Sequence, residues 1–526
     1  MLEKRVRVCR LIRPANPQGR VNIYSHLTRI TTTFGLAMVA TAINKFLGWR
    51  VVIIDEENYR GPRDKDGLPN HEVLQQEEPA DVVGFYCGLT STIERVWKLA
   101  DFYKKQGVIT LAGSWHAHYC PEETLRHNID LVLHGDADLA IAKVFANINE
   151  NRPLHEGVGG VSFLDNCQTR HILPNLQDAG QIADCDDKRL ETLENRLTCE
   201  QMTCRPYPDF GLLQYAKIKL YPIGRIQGCS MKCKFCTVKG GVRFANASWL
   251  FGAIDWLVKT RGAKNFFLVD DRSEEDLPGT LEFFKMVAER YGRRLNFVVQ
   301  MRLEAARKTE LLAIMKKAGV RTVCIGLESP IAEELKAMKK GVTANSMLEL
   351  LAIWRKHMHV HGMFIFGFPV PGLEKPVSVS ERVAIYKRFI KKAKLDYVQV
   401  LQIVPLPGSE LYSEFKKDGK LYPFCDAPWN KHDGNFVLVK PDEGVNLQEL
   451  QDAHIKIMAW FYSPLRFYQM VCRTLIYPIA WILRCRESWR SGWGREIIRW
   501  LGHRVAKRWQ QAGEGERHIE NLTKHS

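Results

Sequence analysis

Three cysteines stand close together near the middle of the sequence. Cys229, Cys233 and Cys236 have Cys-x-x-x-Cys-x-x-Cys spacing and follow a strand-like apolar run. Three thiolates hold three irons of a cubane iron–sulfur cluster, whereas an ordinary electron-carrying [4Fe-4S] site uses four cysteines. The triad therefore predicts a [4Fe-4S] cluster whose fourth iron is open to another ligand.

A zinc knuckle is the alternative for closely spaced thiols. Such a zinc site needs a fourth cysteine or histidine at a comparable spacing. None follows Cys236 within roughly twenty residues. The spacing therefore favours the iron–sulfur cluster over a zinc ion.

The segment 228–236 resembles the radical S-adenosylmethionine (radical SAM) signature. Phe235 fits this resemblance, because the family keeps an aromatic residue beside the adenine just before the third cysteine. The resemblance implies that SAM chelates the open iron through its amino and carboxylate groups. It also implies that electron transfer from the cluster cleaves SAM to a 5'-deoxyadenosyl radical, with an electron donor such as flavodoxin or ferredoxin.

Charged and polar residues at the ends of two later predicted strands suit the binding of SAM. Asp270 and Asp271 end one of them, where a carboxylate could orient the ammonium group of SAM; a helix-capping aspartate is the alternative. Gln300 and Arg302 end the next, and a guanidinium can pair bidentately with the methionine carboxylate; a surface salt bridge is the alternative. We predict that Arg302 and one of the two aspartates bind SAM.

Two further strand ends resemble the nucleoside-binding part of the same family. Glu328 stands at the position that contacts the ribose, and Gly367 lies in a glycine-bearing segment similar to the one beside the adenine. Glycine permits a close backbone approach to a ligand. Each match is weak alone, but together with the loop 405–409 they occur in the order that the family shows.

A second set of small and polar residues ends strands in the first third of the chain. In parallel sheets, ligands bind at the carboxyl edge of the strands, where these loops lie. The loops resemble, in order and spacing, the cobalamin-binding domain that precedes many radical SAM cores. The resemblance implies a cobalamin site, for which the candidate residues are Thr90, Ser91, Gly113, Ser114, His116 and Gly135.

One part of the cobalamin pattern is missing. The Asp-x-His-x-x-Gly motif, which supplies a lower histidine ligand to cobalt in the methionine-synthase type, is absent. The resemblance therefore implies cobalamin bound without a histidine ligand, and the alternative is a domain that kept its fold and lost its cofactor. His116 is not a cobalt ligand by default, and an ordinary loop histidine packed near the sheet edge is an equal possibility.

The elements that must position these residues alternate between strands and helices. Strands are predicted at 6–12, 51–55, 82–86, 109–112 and 131–134, with helices at 35–47 and 91–106. Apolar strands separated by amphipathic helices are typical of a Rossmann-like, doubly wound parallel sheet. Six more strands are predicted at 218–226, 265–270, 295–301, 322–327, 360–368 and 397–404.

These six strands and their helices fit the partial (β/α)6 barrel that the resemblance implies, with the site at the carboxyl ends of the strands. The predicted organisation is therefore α/β throughout: a cobalamin-binding-like domain at 1–145, a connector at 146–205, a radical SAM core at 206–430 and a helical C-terminal region at 431–526. The connector carries no recognisable motif.

Composition limits the class of protein. A chain of 526 residues has room for two to four domains. The cysteines outside the triad show no disulfide framework, which predicts a reducing cytoplasm. The N-terminus lacks the apolar run of a secretory signal, and no run is long enough to span a bilayer.

The net charge of +16 is concentrated near the C-terminus. Between residues 466 and 510, arginine and lysine alternate with tryptophan and short apolar stretches, a pattern typical of a helix lying on anionic lipid. A helical cap with a solvated basic face and a nucleic-acid surface are the alternatives. We expect a cytoplasmic protein at the inner face of the membrane, and nucleic-acid binding is the least favoured reading.

The leading functional hypothesis is a cobalamin-dependent radical SAM methyltransferase that methylates an unactivated carbon. A membrane-facing tail favours an amphiphilic, isoprenoid or lipid-like substrate. The first alternative keeps the radical chemistry but ends in cyclisation, rearrangement or carbon–carbon coupling, as in relatives similar to the anaerobic cyclases. The second is a corrinoid or redox sensor, which the triad together with Arg302 and Glu328 disfavours.

Overall fold

The computed structural model describes residues 6–17, 28–174, 182–183, 190, 192–370, 377–442, 444–465, 468 and 489–524. Residues 466–488, which form much of the basic and aromatic segment predicted from the sequence, lie outside the described residues, except for residue 468. The chain folds as an α/β protein with two large sheets. The predicted fold class is therefore confirmed.

The first sheet is parallel where it was predicted to be. Its first five strands have the spatial order β2-β1-β3-β4-β5, the flavodoxin-like order whose ligand crevice lies between β1 and β3. These strands are almost completely buried, because helices cover both faces. Their bounds are Val8–Arg13 (β1), Arg50–Asp55 (β2), Val82–Tyr86 (β3), Ile109–Gly113 (β4) and Leu131–Leu133 (β5).

Helices connect these strands. The segment expected to be a connector also contributes three antiparallel strands to the same sheet, beyond β5. The helices are Phe34–Phe46 (α1), His71–Glu77 (α2), Ile93–Lys104 (α3), Trp115–Tyr119 (α4), Pro121–Arg126 (α5) and Asp138–Asn149 (α6), and the added strands are Val161–Asp165 (β6), Gln168–Ile172 (β7) and Ile182–Ala183 (β8).

The second sheet is parallel and has six strands in the order β16-β15-β14-β13-β12-β9. Among the described residues its two outer strands do not pair, so the barrel is open, as a partial barrel requires. Its strands are Tyr221–Ile223 (β9), Asn265–Leu268 (β12), Asn296–Gln300 (β13), Val320–Glu328 (β14), His359–Phe366 (β15) and Tyr397–Gln402 (β16). A separate antiparallel hairpin is formed by Ile226–Cys229 (β10) and Gly240–Phe244 (β11).

Helices alternate with the strands of this sheet and begin at recognisable caps. Asn246, Ser378 and Ser409 each accept a backbone N–H of the helix that follows, as N-cap residues do. The helices are Cys199–Thr203 (α7), Ala247–Arg261 (α8), Leu277–Tyr291 (α9), Thr309–Lys317 (α10), Ala332–Ala337 (α11), Ala344–Trp354 (α12), Val379–Ala393 (α13) and Glu410–Lys417 (α14).

Three helices follow the barrel: Leu447–Phe461 (α15), Trp489–Ala512 (α16) and Glu514–Lys524 (α17). Helix α15 packs on β16, and α16 and α17 pack on α15. Val505 and Trp509 of α16 are buried, so this helix does cover the core on one side. None of the described helices combines the length and the apolar composition needed to cross a bilayer.

The two sheets share one apolar core. A continuous cluster of buried side chains includes Leu11 and Ile53 of the first sheet and Phe297 and Ile325 of the second. The first sheet has a further cluster on its other face. The two halves are therefore packed against each other, which brings the loops of both to a common space.

Candidate active site

The cysteine triad lies on the β10–β11 hairpin. The sequence predicted a single strand through residue 226, but the chain breaks after β9 and re-enters as β10, which ends at Cys229. In the hairpin Cys229 lies opposite Gly240. Gly228 has a φ of +86°, and a Cβ atom there would lie 2.4 Å from the carbonyl oxygen of Gly240. Glycine is therefore required for the two strands to approach each other next to the first cysteine.

The cluster loop, residues 229–236, is held by the far side of the barrel. The backbone N–H of Lys234 donates to the carbonyl of Met338 at 3.3 Å, and its carbonyl accepts from the N–H of Leu411 at 3.0 Å. The Lys234 ammonium pairs with Glu414 at 2.8 Å. The loop is thus fixed by segments that lie more than 100 residues further along the chain.

The three thiols suit an iron–sulfur cluster better than a single ion. Cys233 is buried, and Cys229 and Cys236 are half-buried. A tetrahedral zinc site would place its sulfur atoms about 3.8 Å apart, but the three cysteines are not among the described groups whose ligand atoms lie within 4.8 Å of one another. Burial raises the pKa of Cys236 to about 11, so iron must displace its proton on binding.

The two aspartates after β12 have different surroundings. Asp270 is buried, and one carboxylate oxygen accepts the N–H groups of Arg225 at 2.7 Å and Ile226 at 3.0 Å. Its other oxygen accepts from the hydroxyl of Ser273 at 3.0 Å. Asp270 therefore holds the chain at the start of the hairpin and has little capacity left for a ligand.

Asp271 is open to a ligand. Its side chain is solvent-accessible inside a cavity, and one carboxylate oxygen accepts the N–H of Gly228 at 2.7 Å. Surrounding protein atoms, and secondarily the charge of Asp270, raise the pKa of Asp271 to about 6. A cationic ligand beside this carboxylate would stabilise its ionised form and lower its pKa.

The other predicted residues of the core are placed as follows. Arg302 pairs with Glu304 at 2.7 Å, and Glu328, with a φ of +62°, pairs with Lys340 at 2.8 Å. Gln300 and Phe235 are half-buried, and Gly367 has a φ of +82°. Glu304, and to a smaller extent Cys233, raise the pKa of Arg302 although burial opposes this shift, so the guanidinium lies near the cluster loop.

Glu274 was missed by the sequence analysis. One of its carboxylate oxygens accepts the N–H of Arg302 at 2.7 Å, and the other is buried without a hydrogen-bond partner. Burial raises the pKa of Glu274 to about 7. The only signal in the sequence was the acidic run 274–276, which resembles the first turn of any helix.

The N-terminal sheet brings three of its six predicted residues to the cavity. Gly113, Ser114 and Gly135 line it. Ser114 and Gly135 have φ angles of +83° and +69°, and a Cβ on Gly135 would lie 2.2 Å from the carbonyl oxygen of Asn195. The other three, Thr90, Ser91 and His116, are buried and are not part of the cavity wall.

The cavity joins the two halves of the protein. It has a volume of about 610 Å³, and its wall includes Gly135 and Asp136 from the first sheet and Gly228, Gly240 and Asp271 beside the cluster loop. An ion pair between Arg243 of β11 and Asp136, at 2.8 Å, ties the two walls together. Ligands bound at the two sheet edges would therefore face one another.

Family models match both halves of the chain. The B12 binding domain model matches residues 23–145, and the Radical SAM superfamily model matches residues 223–383. The chain is a cobalamin-binding radical SAM enzyme. Its cofactors are accordingly a [4Fe-4S] cluster, SAM and cobalamin.

Two curated relatives are similar to this chain in sequence, and a solved structure is similar to it in fold. The cytidylyl-2-hydroxyethylphosphonate methyltransferase of Streptomyces wedmorensis is 25% identical over 78% of this chain and 82% of its own. The hopanoid C-2 methylase of Rhodopseudomonas palustris is 25% identical over 44% of each chain. The fold matches TsrM, a radical SAM methyltransferase from Kitasatospora setae solved with cobalamin and a [4Fe-4S] cluster, with a TM-score of 0.65, 14% identity, and coverage of 96% of this chain and 100% of that one.

Lowering the pH is expected to weaken the binding of SAM to this radical SAM enzyme through Asp271. Only the carboxylate form attracts an ammonium group, and its pKa of about 6 lies close to neutrality. The affinity should therefore fall by up to about tenfold per pH unit below that value. Equilibrium dialysis of SAM against the reconstituted enzyme across this range would measure the decline.

The substitution Asp271→Asn should bind SAM weakly and without this pH dependence. Because the pKa of Asp271 is raised, folding disfavours its ionised form, so the variant should also unfold at a slightly higher temperature at neutral pH. Glu310→Gln, which changes an exposed carboxylate on α10, is the matched control. A variant that keeps the steep pH profile would contradict the role of Asp271.

Proposed function

We propose that this enzyme is a cobalamin-dependent radical SAM methyltransferase that methylates an unactivated carbon of an amphiphilic, isoprenoid or other lipid-like substrate. The observation that carries the proposal is the cavity that both sheet edges share. Methyl transfer needs the site of hydrogen abstraction and the methyl donor to face the same carbon. A cavity with one wall from the cobalamin-binding domain and the other beside the cluster loop meets that requirement.

When bound, the cluster and SAM supply a 5'-deoxyadenosyl radical, and cobalamin supplies the methyl group. The chain's own residues bind and orient. Asp271 offers negative charge to the SAM ammonium, and Arg302 offers positive charge to its carboxylate. Gly113 and Gly135 let the backbone approach a large ligand at the first sheet.

The cavity wall also favours an apolar reaction environment. Its lining on the side of the first sheet includes Leu36, Val39, Ile43 and Phe145, and Trp249 lies on the side of the barrel. Such a wall excludes water from a reactive radical and accommodates the apolar part of a substrate. A relative that is a hopanoid C-2 methylase supports the same substrate class.

A trideuteromethyl label would test the reaction. The anaerobically reconstituted enzyme is given SAM labelled as CD₃, a reductant, and an isoprenoid lipid extract in vesicles, and the lipids are analysed by mass spectrometry. We expect a product in which CD₃ replaces one hydrogen, together with 5'-deoxyadenosine and S-adenosylhomocysteine. Formation of 5'-deoxyadenosine with a changed but unlabelled lipid would instead indicate cyclisation, rearrangement or coupling.

The C-terminal region supports delivery of such a substrate from a membrane. Ile497, Ile498 and Trp500 on α16 are exposed by 51%, 50% and 40%. The exposed Arg504 stacks on Trp500, with the guanidinium carbon 5.0 Å from the ring centroid. Apolar side chains beside basic ones are typical of a helix face that enters the headgroup region of anionic lipid.

Replacing Ile497 and Ile498 together by glutamate should reduce vesicle binding at least about tenfold, because each isoleucine contributes roughly 1.5–3 kcal/mol when buried. Flotation with phosphatidylglycerol vesicles measures the effect, and phosphatidylcholine vesicles show the contribution of lipid charge. Phe46→Glu, which replaces an exposed apolar side chain on α1 by glutamate away from this helix, is the control. Equal flotation of both variants, or no flotation of the unmodified enzyme, would contradict membrane docking.

A further inference from the structure

Three potential metal ligands converge outside the cofactor cavity. They are His116 of α4, Cys120 between α4 and α5, and Glu123 of α5, and their ligand atoms all lie within 4.8 Å of one another. This is the only such group among the described residues of the chain. The side chain of His116 is completely buried, and its Nε2 atom has no hydrogen-bond partner. A buried ring nitrogen without a partner is costly unless a ligand occupies the space that it faces.

The separation of His116 and Glu123 is typical of two ligands that share an ion. Nε2 lies 3.4 Å from Oε2 of Glu123. A charge-assisted N–H···O hydrogen bond is about 2.7–2.9 Å long. In a tetrahedral zinc site with both bonds near 2.0–2.1 Å, the two ligand atoms would lie about 3.4 Å apart. The observed distance therefore fits a metal bridge better than a direct hydrogen bond.

Neighbouring residues orient two of the ligands. The Nδ1 atom of His116 lies 3.4 Å from the hydroxyl of Thr90, and the edge of Trp429 packs against the imidazole ring, with the ring centroids 5.2 Å apart. The indole N–H of Trp429 donates to Oε1 of Glu123 at 2.9 Å, which leaves Oε2 for an ion. Outer partners of this kind fix the ligands of natural metal sites.

The group is separate from the site of methyl transfer. Trp115, His118 and Tyr119 of α4 line the cofactor cavity, whereas His116, Cys120 and Glu123 do not. The contacts of His116 with Thr90, Glu123 and Trp429 also lie off the cavity wall. The group instead lies where the cobalamin-binding domain meets the segment that carries Trp429, after the last strand of the barrel.

We propose that His116, Cys120 and Glu123 form a divalent-cation site, best suited to Zn²⁺, that fastens the cobalamin-binding domain to the segment around Trp429. One imidazole nitrogen, one thiolate and one carboxylate oxygen are a donor set that zinc accepts, with water completing a four-coordinate site. Binding releases the Cys120 proton, and the two negative ligands balance the charge of the ion. The proposal is independent of the reaction at the cavity.

Zinc analysis of the full-length enzyme tests this site. The enzyme, with its cluster reconstituted, is dialysed against zinc and then against buffer, and zinc and iron are measured in the same sample. Absorption spectroscopy at the zinc K-edge then counts the sulfur ligands, without interference from iron or cobalt. We expect one zinc per chain with a single sulfur neighbour, and a lower unfolding temperature once a chelator has removed the zinc at unchanged iron content.

Cys120→Ser and Glu123→Gln should each lower zinc affinity at least about tenfold while leaving the iron content unchanged. Cys204→Ser, which changes an exposed cysteine, should leave both metals unchanged. Absence of zinc after dialysis of correctly folded enzyme would overturn the proposal. Zinc with three sulfur neighbours that is lost in Cys233→Ala but retained in Cys120→Ser would also overturn it, because that ion would occupy the cluster cysteines.

Discussion

Cys233→Ala is expected to abolish the formation of 5'-deoxyadenosine from SAM. Cys233 is the most buried of the three cluster cysteines, and its removal leaves only two thiols for a cluster that needs three. Without the cluster there is no reductant for the sulfonium of SAM. We expect the rate to fall at least about a thousandfold, the order seen when an essential catalytic group is removed. Chromatography of the nucleoside products and iron analysis would measure both losses.

The control for this variant must lose a thiol without losing a ligand. Cys167→Ser is suitable, because Cys167 is exposed on the turn between β6 and β7, far from the hairpin in sequence. The control should retain iron and activity. If Cys233→Ala kept a full complement of iron and cleaved SAM at the normal rate, the assignment of the triad would be wrong.

Gly228→Ala is expected to disrupt the cluster without changing any of its ligands. The added methyl group would lie 2.4 Å from the carbonyl oxygen of Gly240 and 2.8 Å from that of Gly241. Both contacts are with backbone atoms, so no side chain can rotate away. A φ of +86° adds roughly 1–2 kcal/mol for a residue with a Cβ. The hairpin must therefore open, which displaces Cys229 from its place opposite Gly240.

The chain offers a matched control one strand away. Gly240 also has a positive φ, of +57°, but an added Cβ would meet no atom within 4 Å. Gly240→Ala should therefore lower the free energy of unfolding only by the cost of placing a residue with a Cβ at a positive φ. Gly228→Ala should lower it by about 3 kcal/mol and should reduce the iron content severalfold. Denaturant unfolding of the apoprotein separates stability from cluster assembly. Equal effects of the two substitutions would show that crowding in the hairpin is unimportant.

The positions of most strands along the chain and the chemistry of the triad could be predicted from the sequence, because both depend on local patterns. Buried parallel strands read as continuous apolar runs, and the prediction of 82–86 coincides with Val82–Tyr86. The hairpin could not be predicted, because Gly240 and Gly241 give no strand signal and β11 is set by pairing with β10. The added antiparallel strands β6 to β8 are likewise defined by their partners in the sheet.

The distinction between neighbouring residues also required the structure. Asp270 and Asp271 are chemically identical in the sequence, and only the hydrogen bonds of Asp270 to the chain at Arg225 and Ile226 separate a structural role from a binding one. His116 was a candidate for the cobalamin site because it follows a strand end. Its position on the short helix α4 turns it toward Glu123 and Trp429 instead.

The attachment of the cluster loop has a consequence for biosynthesis. Lys234 is fixed by Leu411 and Glu414, and the Lys234–Glu414 pair is separated by 180 residues. At roughly 5–20 residues per second, a ribosome needs about 10–40 s to reach Glu414 after it has made Lys234. During that time the three cysteines have been synthesised, but Leu411 and Glu414, which fix the cluster loop, have not. We therefore expect delivery of iron and sulfide by the cell's assembly machinery to be productive only after α14, which carries Leu411 and Glu414, has been translated.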